Sequence, residues 1–102
     1  MTAVGIDAIE IHTGKLKLDL AETLAPVKDK DPEYYTKGIG LAASSFPDTY
    51  EDIVTMGANA ARRLMDRRGL TPQDIGRIDV ATESSFDNSK PVSTYIAGCL
   101  EQ

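Results

Sequence analysis

Apolar and polar positions alternate at the start of the chain, with Val4, Ile6 and Ala8 in one phase and Ile9 and Ile11 in the other. Period-two patterning predicts a strand, and the change of phase predicts a bulge or twist near residues 8 and 9. A mixed segment from Leu16 to Lys30 comes next. A short helix is expected there after Asp19, ended by Pro26, which lacks the N–H a helix needs. Asp31-Pro32 reads as an N-cap and a first-turn proline opening a brief turn that runs to Gly38. Gly38-Ile-Gly40 reads as a flexible connection, without the strand and helix that flank a phosphate-cradling loop.

Ser44 to Asp48 reads as a loop closing on the clearest helix in the chain. Asp48 with Glu51 three residues later has the form of a capping box. Ile53, Met56, Gly57, Ala60, Ala61 and Leu64 then share one helical face, widened by Val54 and Met65. Glu51 and Asp52 are expected in the first turn, with Arg62, Arg63, Arg67 and Arg68 toward the end, a charge order that complements the helix dipole. Gly69 is the expected stop. The small residues Gly57, Ala58, Ala60 and Ala61 predict close approach by another element. Thr71-Pro72 opens a short turn, and Ile78 to Thr82 reads as a second strand. A last helix is expected from Pro91, with Val92, Tyr95, Ile96, Cys99 and Leu100 on its apolar face, running to the end of the chain. The order strand, helix, strand, helix points to an α/β sheet with crossover helices.

Composition narrows the function class. The chain has 102 residues, enough for one small domain or part of a larger one, with 41% hydrophobic and 26% charged residues. Sixteen acids against eleven bases leave a net charge of −5, which disfavours a nucleic-acid partner. Ten of the acids are Asp, a mild sign of a salt-adapted surface. A single Cys, Cys99, permits no intrachain disulfide and points to a reducing compartment. The N-terminus lacks a basic region, and no apolar stretch is long enough to span a bilayer, so a cytoplasmic protein with no membrane partner is expected.

The most informative stretch runs from Arg77 to Lys90, where the apolar strand pattern delivers the carboxylate of Glu83 to its C-terminal end. In open α/β sheets, ligands and catalytic groups gather at such ends. On the residues alone Glu83 reads either as a reactive group or as a structural acid, solvated at the strand end or capping the Pro91 helix. Five runs then bear on the choice: Val4-Gly-Ile-Asp7, Tyr35-Thr-Lys-Gly-Ile-Gly40, Glu51-Asp-Ile-Val-Thr-Met-Gly-Ala-Asn-Ala60, Asp74-Ile-Gly-Arg-Ile-Asp-Val-Ala-Thr-Glu83 and Asp87-Asn-Ser-Lys-Pro-Val-Ser93. Together, and in that order, they resemble the N-terminal part of the hydroxymethylglutaryl-CoA synthase family. The run ending in Glu83 is the most specific of them.

The resemblance implies an α/β fold, the N-terminal portion of a thiolase-like domain truncated at residue 102. It also implies an acyltransferase of the mevalonate pathway that leads to isoprenoids. In that family a Cys accepts the acetyl group of acetyl-CoA and a Glu removes a proton from its methyl. The carbanion equivalent attacks the ketone of acetoacetyl-CoA, and hydrolysis releases 3-hydroxy-3-methylglutaryl-CoA. Glu83 takes the place of that general acid/base, and Asp31 and Pro32 match a segment that contacts ligand. No cofactor is expected, and a homodimer is expected for the full-length enzyme. The chemistry agrees independently: a thioester methyl is a very weak acid, and a partly buried carboxylate with a raised pKa is a suitable base. Thiolase-fold enzymes that condense malonyl substrates obtain the carbanion from loss of CO2, and Glu83 separates the two cases.

The family's nucleophilic Cys and catalytic His are expected beyond Gln102, so the 102 residues alone are expected to be inactive. Cys99 is expected on the buried face of its helix, acting as a small hydrophobe. His12, the only histidine, is expected at a strand end, where no metal cluster can form around it. The arginines at 62, 63, 67 and 68 have two readings, contacts to CoA phosphates or a solvated helix end. Two other functions remain open. One is a synthase-like enzyme of polyketide β-branching that acts on carrier-bound acyl groups, and the other is a non-catalytic remnant or interaction module.

Overall fold

The computed structural model describes residues 2–102. They form two compact units: Thr13–Glu51 is one, and the segments on either side of it, through His12 and from Asp52 to Gln102, make the other.

The Thr13–Glu51 unit is built on a two-stranded antiparallel ladder of β1 (Leu16–Asp19) and β2 (Ala43–Phe46), with Leu16 opposite Phe46 and Asp19 opposite Ala43. Asp19 ends β1 and caps the first helical turn, its carboxylate accepting the Glu22 N–H at 3.0 Å. The chain then winds through wide helical turns at Leu20–Leu24 and tightens into α1 (Ala25–Val27). The short helix expected after Asp19 is present, but Pro26 does not end it. It stands in the first turn of α1, where a missing donor costs nothing. Asp29 takes a left-handed conformation, φ 50°, which a short polar side chain tolerates.

A second set of wide turns, Tyr34–Ile39, closes at Gly40 in the left-handed region, φ 79°, with the Leu41 N–H returning to the Tyr35 carbonyl. Gly38-Ile-Gly40 is thus helix end and cap rather than a flexible link, and Ser44–Phe46 is strand rather than loop. Leu20, Ala25 and Tyr35 form the buried apolar cluster here, with Leu18 and Leu24 packed against them.

The other unit is a pair of helices with extended chain around them. Asp52 caps α2 (Ile53–Arg68): its carboxylate accepts the Thr55 N–H at 2.8 Å, while the Thr55 hydroxyl accepts the Asp52 N–H at 2.9 Å. The capping box expected at Asp48 and Glu51 therefore lies four residues later, and Glu51 and Asp52 precede the helix. Glu51 still binds Asp48, its Oε2 accepting the Asp48 N–H at 2.8 Å and the Lys15 N–H at 2.9 Å, as the tie of a preceding turn. Gly69 ends α2 as expected, at φ 66°. Thr71 and Asp74 cap the short turn Pro72–Asp74.

Helix α3 (Val92–Leu100) buries Val92, Ile96 and Leu100 against Val54 and Met65 of α2, with Ile78, Val80 and Tyr95 packed at the margin. Gly57 is where the helices approach, since a Cβ there would lie 2.6 Å from Ile96 Cδ1. The small-residue stripe expected to admit another element does so at this position. Cys99 is exposed, not buried, because Val92, Ile96 and Leu100 take the inner face. α3 runs to Leu100, and the Glu101 N–H still bonds back to the Ala97 carbonyl at 3.1 Å.

Neither predicted strand is a strand among the described residues. Residues 78–82 keep the expected alternation, with Ile78 and Val80 partly buried and Asp79 and Ala81 exposed, but pair with no neighbour. Val4 and Ile6 are 96% and 84% exposed. A strand exists only by its ladder, and the period-two pattern says which residues face a core without supplying the partner.

The N-terminal segment is instead held by arginines. The Arg68 guanidinium donates to both Asp7 oxygens at 3.0 Å, and Arg67 meets the Ile9 carbonyl at 2.6 Å and Glu10 at 3.1 Å. Arg62 donates to the Cys99 carbonyl at 2.9 Å, satisfying an end of α3. These three arginines are internal fasteners, a role outside both readings of the sequence.

Candidate functional site

The extended 78–82 segment delivers Glu83 into a bend, where it is exposed. No hydrogen bond or ion pair reaches its carboxylate among the described residues. The partial burial expected of this group is absent, because no described segment covers the bend.

The residues around Glu83 are ordered by hydrogen bonds in series. The Ser84 N–H donates to Thr82 Oγ1 at 3.0 Å, bracketing Glu83, and the Ser85 hydroxyl donates to the Asp87 carbonyl at 2.9 Å. Asp87 is the hub. Its Oδ1 accepts the Ser89 N–H at 2.8 Å and the Lys90 N–H at 3.0 Å, and its Oδ2 accepts the Tyr95 hydroxyl at 2.8 Å. The Lys90 and Ser89 amides, then the Tyr95 hydroxyl, hold the Asp87 carboxyl below the ordinary Asp range. The same bond raises the Tyr95 phenol above its ordinary value, since the neutral form is the donor.

The Tyr95 ring completes the anchor. It lies 5.0 Å from the Phe86 ring, centroid to centroid, and carries Lys90 Nζ 4.0 Å above it. Asp87 and Tyr95 escaped the reading of the sequence as site residues. The signal was an Asx-type residue five positions before the first residue of a helix, with an aromatic one turn inside that helix.

Asp31 and Pro32 belong to the Thr13–Glu51 unit and Glu83 to the other. Asp31 does cap a turn, its Oδ1 accepting the Glu33 N–H at 2.8 Å while its carbonyl accepts the Tyr34 N–H at 2.9 Å. Both Asp31 and Pro32 are exposed. His12 is half-buried. A cleft of about 370 Å³ opens between residues 72–78 and α3, lined by Ile75, Arg77, Ile78, Ser93, Ala97 and Leu100 among others, and Glu83 is not part of its wall. No helix among the described residues is long and apolar enough to cross a membrane.

A family model described as "Hydroxymethylglutaryl-coenzyme A synthase N terminal" matches residues 1–102. The chain belongs to the hydroxymethylglutaryl-CoA synthase family. A hydroxymethylglutaryl-CoA synthase of Haloferax volcanii is 81% identical over 102 residues, covering 100% of this chain and 23% of that protein. The human cytoplasmic hydroxymethylglutaryl-CoA synthase is 36% identical over 99 residues, covering 97% of this chain and 19% of that protein. The chain thus spans about a fifth to a quarter of the length of these synthases.

Among solved structures, MvaS in complex with 3-hydroxy-3-methylglutaryl coenzyme A superposes with a TM-score of 0.85 at 35% identity, over 95% of this chain and 23% of that one. An HMG-CoA synthase complexed with CoA gives 0.72 at 34% identity, over 92% and 24%. The expected fold class, the N-terminal portion of the thiolase-like α/β architecture of these synthases, is therefore the one observed.

Proposed function

We propose that this chain is the N-terminal part, residues 1–102, of a cytoplasmic synthase that condenses acetyl-CoA with acetoacetyl-CoA in the mevalonate pathway, with Glu83 as its general acid/base. The observation that carries the reading is Glu83 itself, a carboxylate at the end of the run most specific to the family, on a turn whose flanks are anchored from Thr82 to Tyr95. The two matched structures, described as complexes with 3-hydroxy-3-methylglutaryl coenzyme A and with CoA, support CoA thioesters as the substrate class.

In this reading a Cys beyond the chain displaces CoA from acetyl-CoA and carries the acetyl group as a thioester. Glu83 takes a proton from the acetyl methyl while the new carbon–carbon bond forms to the acetoacetyl ketone, whose oxygen is protonated by a His also beyond the chain. Water then cleaves the thioester to Cys, releasing 3-hydroxy-3-methylglutaryl-CoA. The groups that cover Glu83 come from the same remainder of the enzyme. Asp31 and Pro32 contribute ligand contacts, and the working enzyme is a homodimer.

The test is Glu83→Gln in the full-length synthase. Acetylation of the Cys should persist, and carbon–carbon bond formation should fall by roughly 10²- to 10⁴-fold, the usual range for a lost general base. A condensation rate near wild type would refute the role. Condensation with carrier-bound acyl groups in place of CoA thioesters would instead point to a polyketide β-branching enzyme.

A further inference from the structure

The anchor around Asp87 has one member from α3, and it joins three of the others. The Tyr95 hydroxyl donates to Asp87 Oδ2 at 2.8 Å, its ring contacts Phe86 at 5.0 Å, and the same ring holds Lys90 Nζ at 4.0 Å. Phe86, Asp87 and Lys90 all lie on the stretch that leads from Glu83 into α3, whereas Tyr95 lies inside α3, one turn beyond Pro91. α3 is rigidly seated, because Val92, Ile96 and Leu100 on its other side are buried against α2. Tyr95 is thus the point at which an exposed turn is tied to a fixed element.

We infer that Tyr95 is a positioning residue for the Glu83 turn, holding Asp87 by its hydroxyl and Phe86 and Lys90 by its ring so that the Glu83 carboxylate is presented in one orientation. The inference rests on the general acid/base role proposed for Glu83. Tyr95 touches no reacting atom; its effect passes through the backbone between residues 83 and 90. An exposed turn without it would sample several orientations, and only a fraction of encounters would place the carboxylate within reach of the acetyl methyl. The phenol is well suited to the task. It donates to a carboxylate that already accepts two backbone N–H groups, and a hydrogen bond to a charged acceptor is stronger than a neutral one.

The experiment is a double-mutant cycle in the full-length synthase, with Cys acetylation and condensation measured as separate steps. Tyr95→Phe keeps the ring and removes only the bond to Asp87. It should slow condensation about tenfold while leaving acetylation and the KM for acetoacetyl-CoA within about twofold. The double variant Glu83→Gln/Tyr95→Phe should be no slower than Glu83→Gln alone, because a positioning residue has nothing left to position.

Wild-type condensation in Tyr95→Phe overturns the inference, as does a double variant slower again by about the single-variant factor. Equal losses in both steps with a lowered melting temperature overturn it too, by making Tyr95 structural. If Glu83→Gln itself condenses at the wild-type rate, the base assignment fails first and the inference falls with it. A measurement that needs no variant is the NMR titration of labelled Tyr95 in the wild-type enzyme. The phenol should ionise above the ordinary tyrosine value of about 10, and ionisation at or below that value would remove the bond on which the positioning depends.

Discussion

In the helix-pair unit, Gly57 meets the end of a side chain: a Cβ there would lie 2.6 Å from Ile96 Cδ1. In the Thr13–Glu51 unit, Gly14 meets backbone, and a Cβ there would lie 2.5 Å from the Phe46 carbonyl oxygen and 2.8 Å from the Pro47 nitrogen. The contrast extends to the cores. The helix pair buries five apolar residues from two regular helices, whereas the other unit buries Leu20, Ala25 and Tyr35 inside wide turns that close on a four-residue ladder. A side chain can rotate to absorb an intrusion, but a backbone in a ladder cannot move without breaking its bonds. The first unit is therefore held by packing that can adjust, and the second by chain geometry that cannot.

Substitutions at four positions in this chain test that difference, and the largest effect is expected at Ile96. Ile96→Ala removes the centre of the helix-pair core and should destabilise that unit by about 2–5 kcal/mol. Hydrogen exchange should show the amides of α2 losing protection while the Leu20 N–H, bonded to the Ala42 carbonyl at 3.1 Å, keeps its own. Equal loss at both would mean that the two cores open as one and would end the comparison.

Next comes Gly14→Ala, expected to cost about 1–3 kcal/mol because the added methyl meets backbone. A denaturant melt unchanged from wild type would show that the ladder yields more easily than its geometry implies.

Asp52→Ala should cost about 1 kcal/mol by removing the cap of α2. Asp52 also adds a pH signature. The Thr55 N–H holds its carboxyl below the ordinary Asp value of 3.8. A depressed folded-state pKa contributes stability that is present above the unfolded value and lost as pH falls through the folded one. The cap should therefore weaken in the acid range below about pH 4. Asp52→Asn, which still caps but does not titrate, should be less sensitive to acid than wild type over that window, as read from melting temperatures at a series of pH values.

Gly57→Ala should have the smallest effect. The gain in helix propensity of about 1 kcal/mol opposes the displacement of one flexible methyl, and the net change should stay within about 1 kcal/mol of zero. A loss as large as that of Gly14→Ala would erase the distinction between side-chain and backbone contact.

Legibility divides along the same line. α2 was legible because its signals are local: a 3.6-residue apolar rhythm, arginines late, Gly69 as the stop. Its start was misplaced by four residues because Asp48 and Asp52 are both plausible caps, and only the bond from the Thr55 N–H chooses between them. β1 and β2 escaped notice because each is four residues long and lacks clean alternation, and their pairing spans the wide turns between them. Among the residues proposed for the site, Glu83 stood out through its neighbours in sequence. Asp87 and Tyr95 did not, since a carboxylate and a phenol eight positions apart become partners only when the turn folds back on α3.

The family, the α/β class, the helix α2 and the turn opened by Thr71-Pro72 were all set by runs of adjacent residues, where covalent order already brings the interacting groups together. The strand pairing, the use of Arg67 and Arg68 to hold Ile9, Glu10 and Asp7, the exposure of Cys99 and the anchoring of the Glu83 turn by Tyr95 were decided by the tertiary structure. Each of these joins groups far apart in the chain, or selects one face of a helix over another. Such choices depend on what else is packed nearby, which no local pattern of residues contains.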